Sequence, residues 1–154
     1  MLGVSFPSEK IQTRLLRELY SEAGVDPSSV SYVELHCTGT AAGDPQEANS
    51  VAEVFCSDGR RSTPLLVGST KSNIGHPEAA AGLASLAKVL IALQDHAIPA
   101  NLHYRQPNPK CLGLLDGRLK VIKINRLVYG SLDCTKSDQT ESAVWVTKRT
   151  TRTV

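Results

Sequence analysis

Three side chains able to hold or move a proton, His36, Lys71 and His76, each stand where an apolar run gives way to a turn. In "VELHCTGTAAGD" His36 ends the run and is followed by Cys37, Thr38 and Thr40. In "PLLVGSTKSNIGHPEAA" Lys71 and His76 follow a second apolar run. A lone histidine is most often a satisfied packing residue. Two histidines and a lysine beside Gly-rich turns are harder to explain that way. The partial positive charge of a helix N-terminus disfavours an imidazolium, and His76 is expected to open a helix with Lys71 nearby. A neutral imidazole offers an N–H donor, which suits stabilisation of an oxyanion in acyl or enolate chemistry.

The adjacent His36 and Cys37 raise the question of a base beside its nucleophile. Successive residues at the end of a strand point in opposite directions. A working base must lie within hydrogen-bond reach of the proton it takes. The His36 ring is therefore not expected to activate its neighbour's thiol.

The elements that must position these groups can be read from periodicity. "PSEKIQTRLLRELYSEAG" predicts a helix capped by Ser8 and closed by Gly24, with Ile11, Leu15, Leu16, Leu19, Tyr20 and Ala23 on its inner face. "VDPSS" predicts a turn, and "VSYVELH" a strand buried on both faces. Asp44, Pro45 and Glu47 have the spacing of an N-cap, a first helical position and a capping box. The stripe Ala48, Val51, Ala52 and Phe55 then carries that helix. A second strand, "PLLVGSTKS", leads to a long apolar helix, "HPEAAAGLASLAKVLIALQDH", with Pro77 in its first turn. Strand, helix, strand, helix predicts a right-handed βαβ crossover in a parallel sheet. Ligands of open parallel sheets bind beyond the strands' carboxyl ends, which would bring His36, Lys71 and His76 into one site. "NLHYRQPNP" predicts an extended connection and "RLKVIKI" a further strand. From Asn125 onward the chain is expected to be a divergent, poorly ordered tail, in which only "SAVWVTK" has the make-up of an edge strand.

Composition excludes several classes. A chain of 154 residues has room for one domain with a core, hardly two. Its formal charge of +2 selects neither nucleic acid nor an anionic membrane. No segment reads as a signal peptide, and the apolar stretch from Ala79 to Leu93 is too short to span a bilayer. The four cysteines are scattered without a CxxC, so neither a metal site nor a disulfide framework is expected. The expected location is cytoplasmic.

Two of these stretches carry a family resemblance. "VELHCTGTAAGDPQEA" resembles the E-A-H-G-T-G-T-x-x-G-D-P-x-E signature of β-ketoacyl synthases, and "GSTKSNIGHPEAAAGLASLAKVL" resembles their K-S-N-x-G-H segment. Order and spacing also match, and the resemblance spans Ser8 to Ile124. "NLHYRQPNP" and "LLDGRLKV" look most like the synthase domain of animal-type fatty acid synthases, and type I polyketide synthases are similar. The resemblance implies an α/β, thiolase-like layered sandwich, here as an incomplete C-terminal half (residues 1–124) with a parallel βαβ core. It implies decarboxylative Claisen condensation of an acyl-enzyme with a malonyl thioester on acyl carrier protein. By resemblance His36 and His76 are the two catalytic histidines and Lys71 orders the site's charges. Thr38 and Thr40 match the threonines that bind the carrier's pantetheine arm, although threonines also cap such turns. No cofactor is implied for the chain itself, since phosphopantetheine belongs to the carrier. The intact synthase is expected to be a homodimer.

Departures from the family are equally specific. None of the four cysteines has the A-C-S-S context of the family's nucleophile, and Cys37 stands where the family has glycine. If the backbone there needs a positive φ, the side chain costs about 1–2 kcal/mol. The family's closing N-x-F-G-F-G-G-x-N-A-H segment is also missing. The expected reading is a fragment of a synthase, inactive alone. The alternatives are a non-catalytic remnant that binds the carrier arm or an intact synthase and, last, a Cys37-dependent acyl hydrolase.

Overall fold

The computed structural model describes residues 6–57, 59, 61–124, 126–127 and 144–146. Helix α1 (Glu9–Ala23) starts where the Ser8 side chain accepts from the Ile11 N–H and ends at Gly24, whose φ of 65° only glycine adopts cheaply. A 3-10 turn (Pro27–Ser29), capped by Asp26, feeds strand β1 (Tyr32–Glu34). Then follow helix α2 (Gly43–Phe55), strand β2 (Leu65–Gly68) and a short helix α3 (Lys71–Ile74). A 3-10 turn (Glu78–Ala80) leads into helix α4 (Ala81–Gln94) and strand β3 (Ala97–Ile98). Helix α5 (Leu112–Leu115) and strand β4 (Leu119–Val121) complete the matched region. Two further strands are β5 (Arg126–Leu127) and β6 (Val144–Val146).

The main sheet has the order β4-β2-β1-β6 with every neighbour parallel, and β3 pairs antiparallel with β5. The predicted βαβ core is present, and "RLKVIKI" contributes β4 beside β2. The edge strand in "SAVWVTK" forms too, as β6 beside β1. The rest of the predicted tail, residues 125, 128–143 and 147–154, lies outside the described residues.

Alternation along β1 sorts the layers. Val33 and Leu35 pack with Tyr20, Val51, Phe55, Val67 and Leu119 on the α1–α2 side. Tyr32 packs with Val89, Ala92, Ile98 and Ile122 on the α4 side. Ala48, Val51, Ala52 and Phe55 are all buried, as the α2 stripe predicts. Tyr20 meets Phe55 edge to face at 5.0 Å, which locks α1 onto α2.

Three expectations need correction. Helix α1 buries Thr13 and Tyr20, while Ile11, Leu15 and Leu19 stay exposed. Its periodicity is helical, but the contact with α2 uses a neighbouring face. Ala42, not Asp44, is the N-cap of α2, and no side chain caps it. Glu47 does not reach back to the cap because two other N–H groups occupy its carboxylate. The long apolar helix starts later than expected: Gly75, at φ 77°, ends the preceding α3, Glu78–Ala80 form a 3-10 turn, and α4 begins only at Ala81. His76 therefore sits in the intervening turn.

Helix α4 buries Ala81, Ser85, Val89 and Ala92 and leaves Leu83, Leu86, Leu90 and Ile91 exposed. A contiguous apolar face of this size promotes association. The chain is expected to self-associate as its concentration rises in sedimentation equilibrium. Leu86→Lys with Leu90→Lys should reduce that association while changing stability by under about 0.5 kcal/mol each, since both side chains are already in solvent. A parent chain that stays monomeric at every concentration contradicts this.

Candidate functional site

Register brings the site together. Glu34 lies opposite Gly68 in the parallel pairing, and the Leu35 N–H extends it with a 2.7 Å bond to the Gly68 carbonyl. Both chains therefore leave the sheet at the same level, one towards His36 and the other towards Lys71. The imidazoles of His36 and His76 meet edge to face, with ring centroids 5.5 Å apart and an interplanar angle of 89°. The convergence of loops at the carboxyl ends of parallel strands is realised here.

The His36 corner is fastened from α2. The buried Glu47 carboxylate accepts the His36 N–H at 2.7 Å through one oxygen and the Cys37 N–H at 2.9 Å through the other. Charge-assisted bonds to a buried carboxylate are among the stronger hydrogen bonds in proteins. They hold a backbone that turns abruptly, because Cys37 has a φ of 33°. That is the left-handed region in which a side chain is costly, so the expected strain at Cys37 is present. Cys37 itself packs against the α1–α2 core. Burial pushes its thiol well above the ordinary value, Glu47 and Asp44 push the same way, and Lys71 opposes them weakly. A thiol so disposed is not a ready thiolate.

His76 is oriented by its own loop. The Glu78 N–H donates to His76 Nδ1 at 2.8 Å, so Nδ1 carries no proton and the ring's N–H is at Nε2. The sequence predicts a neutral donor here on the strength of a helix N-terminus. The geometry supplies a local hydrogen bond that orients the ring instead of a helix N-terminus. Glu78 has a φ of 44°, so a strained residue follows each histidine closely. His76 is exposed, His36 half-buried.

Lys71 opens α3 with its Nζ buried and without a hydrogen-bond partner among the described residues. Burial raises the carboxyl of Asp44 above its usual range, and the N–H groups of Gly39 and Thr40 and, last, the charge of Lys71 partly offset this. Asp44 Oδ1 accepts the Gly39 N–H at 3.2 Å. Thr40 is exposed, and its Oγ1 accepts the Gly43 N–H at 3.0 Å, which closes the turn and leaves the hydroxyl proton free to donate. Thr38 is half-buried on the same loop.

Five residues that position the site escape sequence reasoning in whole or in part. Glu34, fully buried, accepts the Thr70 N–H, the Tyr32 hydroxyl and, at 2.7 Å, the Lys88 ammonium. Lys88 and Glu34 are lone charges in otherwise apolar elements, and that is the signal that points to them. Glu47 was legible only as a helix cap. Asn101 lies in the predicted extended connection, yet its Oδ1 accepts the Ser69 N–H at 2.9 Å and its Nδ2 donates to the Ile122 carbonyl at 3.2 Å. Gly68 is required beneath it, because a Cβ would stand 2.7 Å from Tyr32 Oη and 2.9 Å from Asn101 Nδ2.

Two shallow hollows of about 340 and 230 Å³ open on the surface, and neither is lined by a histidine. Among the described residues no group of three His, Cys, Asp or Glu side chains could hold a metal ion, and no helix is long and apolar enough to cross a membrane.

Residues 2–105 match the family described as beta-ketoacyl synthase, C-terminal domain. A highly reducing polyketide synthase of Aspergillus terreus is 50% identical over 118 residues, which are 77% of this chain and 4% of that protein. A fatty acid synthase of Anser anser anser is 54% identical over 92 residues, 60% of this chain and 26% of that sequence. Among solved structures, the ketosynthase from module 6 of the bacillaene synthase of Bacillus subtilis 168 superposes with a TM-score of 0.75 at 34% identity. The superposition covers 86% of this chain and 24% of that one. Ketosynthase twelve from the bacillaene polyketide synthase of Bacillus amyloliquefaciens gives a TM-score of 0.76 at 30% identity, over 85% of this chain and 23% of that one. The chain thus spans about a quarter of the ketosynthase structures it matches.

The Glu47 clasp makes a direct prediction. Glu47→Ala removes the acceptors of two buried N–H groups and should cost about 3 kcal/mol in urea unfolding. Glu47→Gln keeps one acceptor oxygen and should cost about half as much. Equal, near-zero effects of both would show that the corner holds itself.

Proposed function

As the chain belongs to the β-ketoacyl synthase family, of which it carries the C-terminal domain, we propose that it supplies the two-histidine part of a condensing site. The observation that carries this reading is the edge-to-face pair of His36 and His76, with His76 Nδ1 already engaged as an acceptor. Nε2–H of His76, and an N–H of His36, would donate to the carbonyl oxygen of a malonyl thioester. As the carboxylate leaves as carbon dioxide, its bonding electrons pass into an enolate whose oxygen gains negative charge. Donors fixed where that charge develops lower the barrier. The enolate carbon then attacks an acyl thioester held by a cysteine nucleophile, so that a C–C bond forms, the acyl C–S bond breaks and the cysteine leaves as its thiolate.

That nucleophile is not Cys37. Its raised thiol pKa and its packing against the α1–α2 core support this. Lys71 contributes a fixed positive charge beside the carboxylates of the loop. Thr40, whose hydroxyl proton is free to donate, and Thr38 beside it would meet the pantetheine arm. Acyl carrier protein, malonyl and acyl thioesters, a homodimeric whole and a cytoplasmic location belong to the same proposal. So does the assignment of residues 1–124 to the synthase domain and of 125–154 to a divergent tail.

One observation favours a second reading, a non-catalytic remnant that binds the carrier arm or an intact synthase. A side chain stands at the strained Cys37 position, where the family has glycine.

The purified chain alone should give no condensation product, since loss of a member of a catalytic set costs several orders of magnitude. Fusing residues 8–124 to the remaining parts of a related synthase should restore turnover. In that chimera His36→Ala and His76→Ala should each cut condensation about 10²-fold. Cys37→Gly should leave activity intact or raise it, because glycine relieves the corner. Thr38→Val should weaken carrier binding by about 1 kcal/mol. Product from the unfused chain overturns the proposal, and a chimera that binds carrier but is indifferent to both histidines supports the remnant.

A further inference from the structure

We infer that Glu34 and Lys88 form a positioning pair that sets the Thr70–Lys71 turn and, through it, the spacing of the two histidines. Lys88 is the only charged side chain in α4, and it is nearly buried. Its Nζ lies 2.7 Å from Glu34 Oε2, 3.0 Å from the Tyr32 hydroxyl and 5.6 Å from the centre of the Tyr32 ring. A buried ion pair returns little net stability, because desolvation offsets attraction. Its retention here is explained by what the other carboxylate oxygen does. Glu34 Oε1 accepts the Thr70 N–H at 2.5 Å, so the turn that launches Lys71 hangs from β1 by this carboxylate. Glu34 meets α4 through Lys88, which belongs to the helix that the His76 loop enters, and His36 follows Glu34 by two residues. One carboxylate thus ties the His36 strand, the Lys71 turn and the helix beyond His76.

Purpose alone rests on the condensing-site reading, and the test measures geometry in the whole chain rather than turnover, so either can fail without the other. In the Lys88→Met variant the carboxylate loses its cation, and amide hydrogen exchange at Thr70 should rise about tenfold beyond the change seen at core amides. The ring-to-ring nuclear Overhauser effect between His36 and His76 should weaken, while that between Tyr20 and Phe55 persists. If Lys88→Met does not fold, Glu34→Gln combined with Lys88→Met removes the uncompensated charge. In that variant one amide oxygen is contested by Thr70 and Tyr32, and Thr70 exchange should still exceed the parent's several-fold. Parent-like Thr70 protection and an unchanged histidine contact in whichever variant folds would overturn the inference, and reduce the pair to an anchor for α4.

Discussion

The register between β1 and β2 is the constraint on which the rest depends. With Glu34 opposite Gly68, two loops begin at one height on one edge of the sheet. A slip of one residue would exchange the faces of β1, taking Val33 out of the α1–α2 core and Glu34 away from Lys88. The register is enforced from both layers. Val33 and Leu35 fit between α1 and α2, and Tyr32 fits beneath α4. The close approach of Tyr32 and Asn101 over Gly68 leaves no room for a side chain at that position.

Around that register, polar groups are used in place of apolar packing wherever the backbone must leave the sheet. Glu47 gathers the N–H groups of His36 and Cys37, Glu34 that of Thr70, and Asn101 that of Ser69. These are backbone donors that lose their ladder partners as the strands end, and each must be satisfied elsewhere. The site loops are therefore anchored by side chains from α2, β1 and the connection before α5. The orphaned Lys71 ammonium is the exception, a buried charge without a hydrogen-bond acceptor among the described residues. Such a group is costly unless another one reaches it.

How much of this was legible follows from what local pattern can encode. Alternation and apolar runs located β1, β2 and β4, and the stripe of α2 gave its buried face. Parallel order then implied the convergence of His36, Lys71 and His76. Pattern failed where a tertiary partner outbid a local one. Glu47 has capping-box spacing, but the strand corner offers two N–H groups to its one carboxylate. The stretch from His76 to His96 reads as one helix with His76 at its start, yet Gly75 and the Glu78 turn divert the chain before α4. The Ile11–Leu15–Leu19 stripe marks an amphipathic helix correctly but cannot say which neighbour will cover it. Glu34 and Lys88, 54 residues apart, each look like an isolated charge until the fold joins them.

The central claim is that this chain by itself builds the paired-histidine arrangement. Long-range proton–nitrogen correlation on histidine-labelled chain tests it most directly. The account predicts an Nε2–H tautomer for His76, with Nδ1 unprotonated, and ring protons of His36 and His76 close enough for a strong cross-relaxation signal. A His76 protonated at Nδ1, or rings without mutual contact in the folded chain, would contradict it.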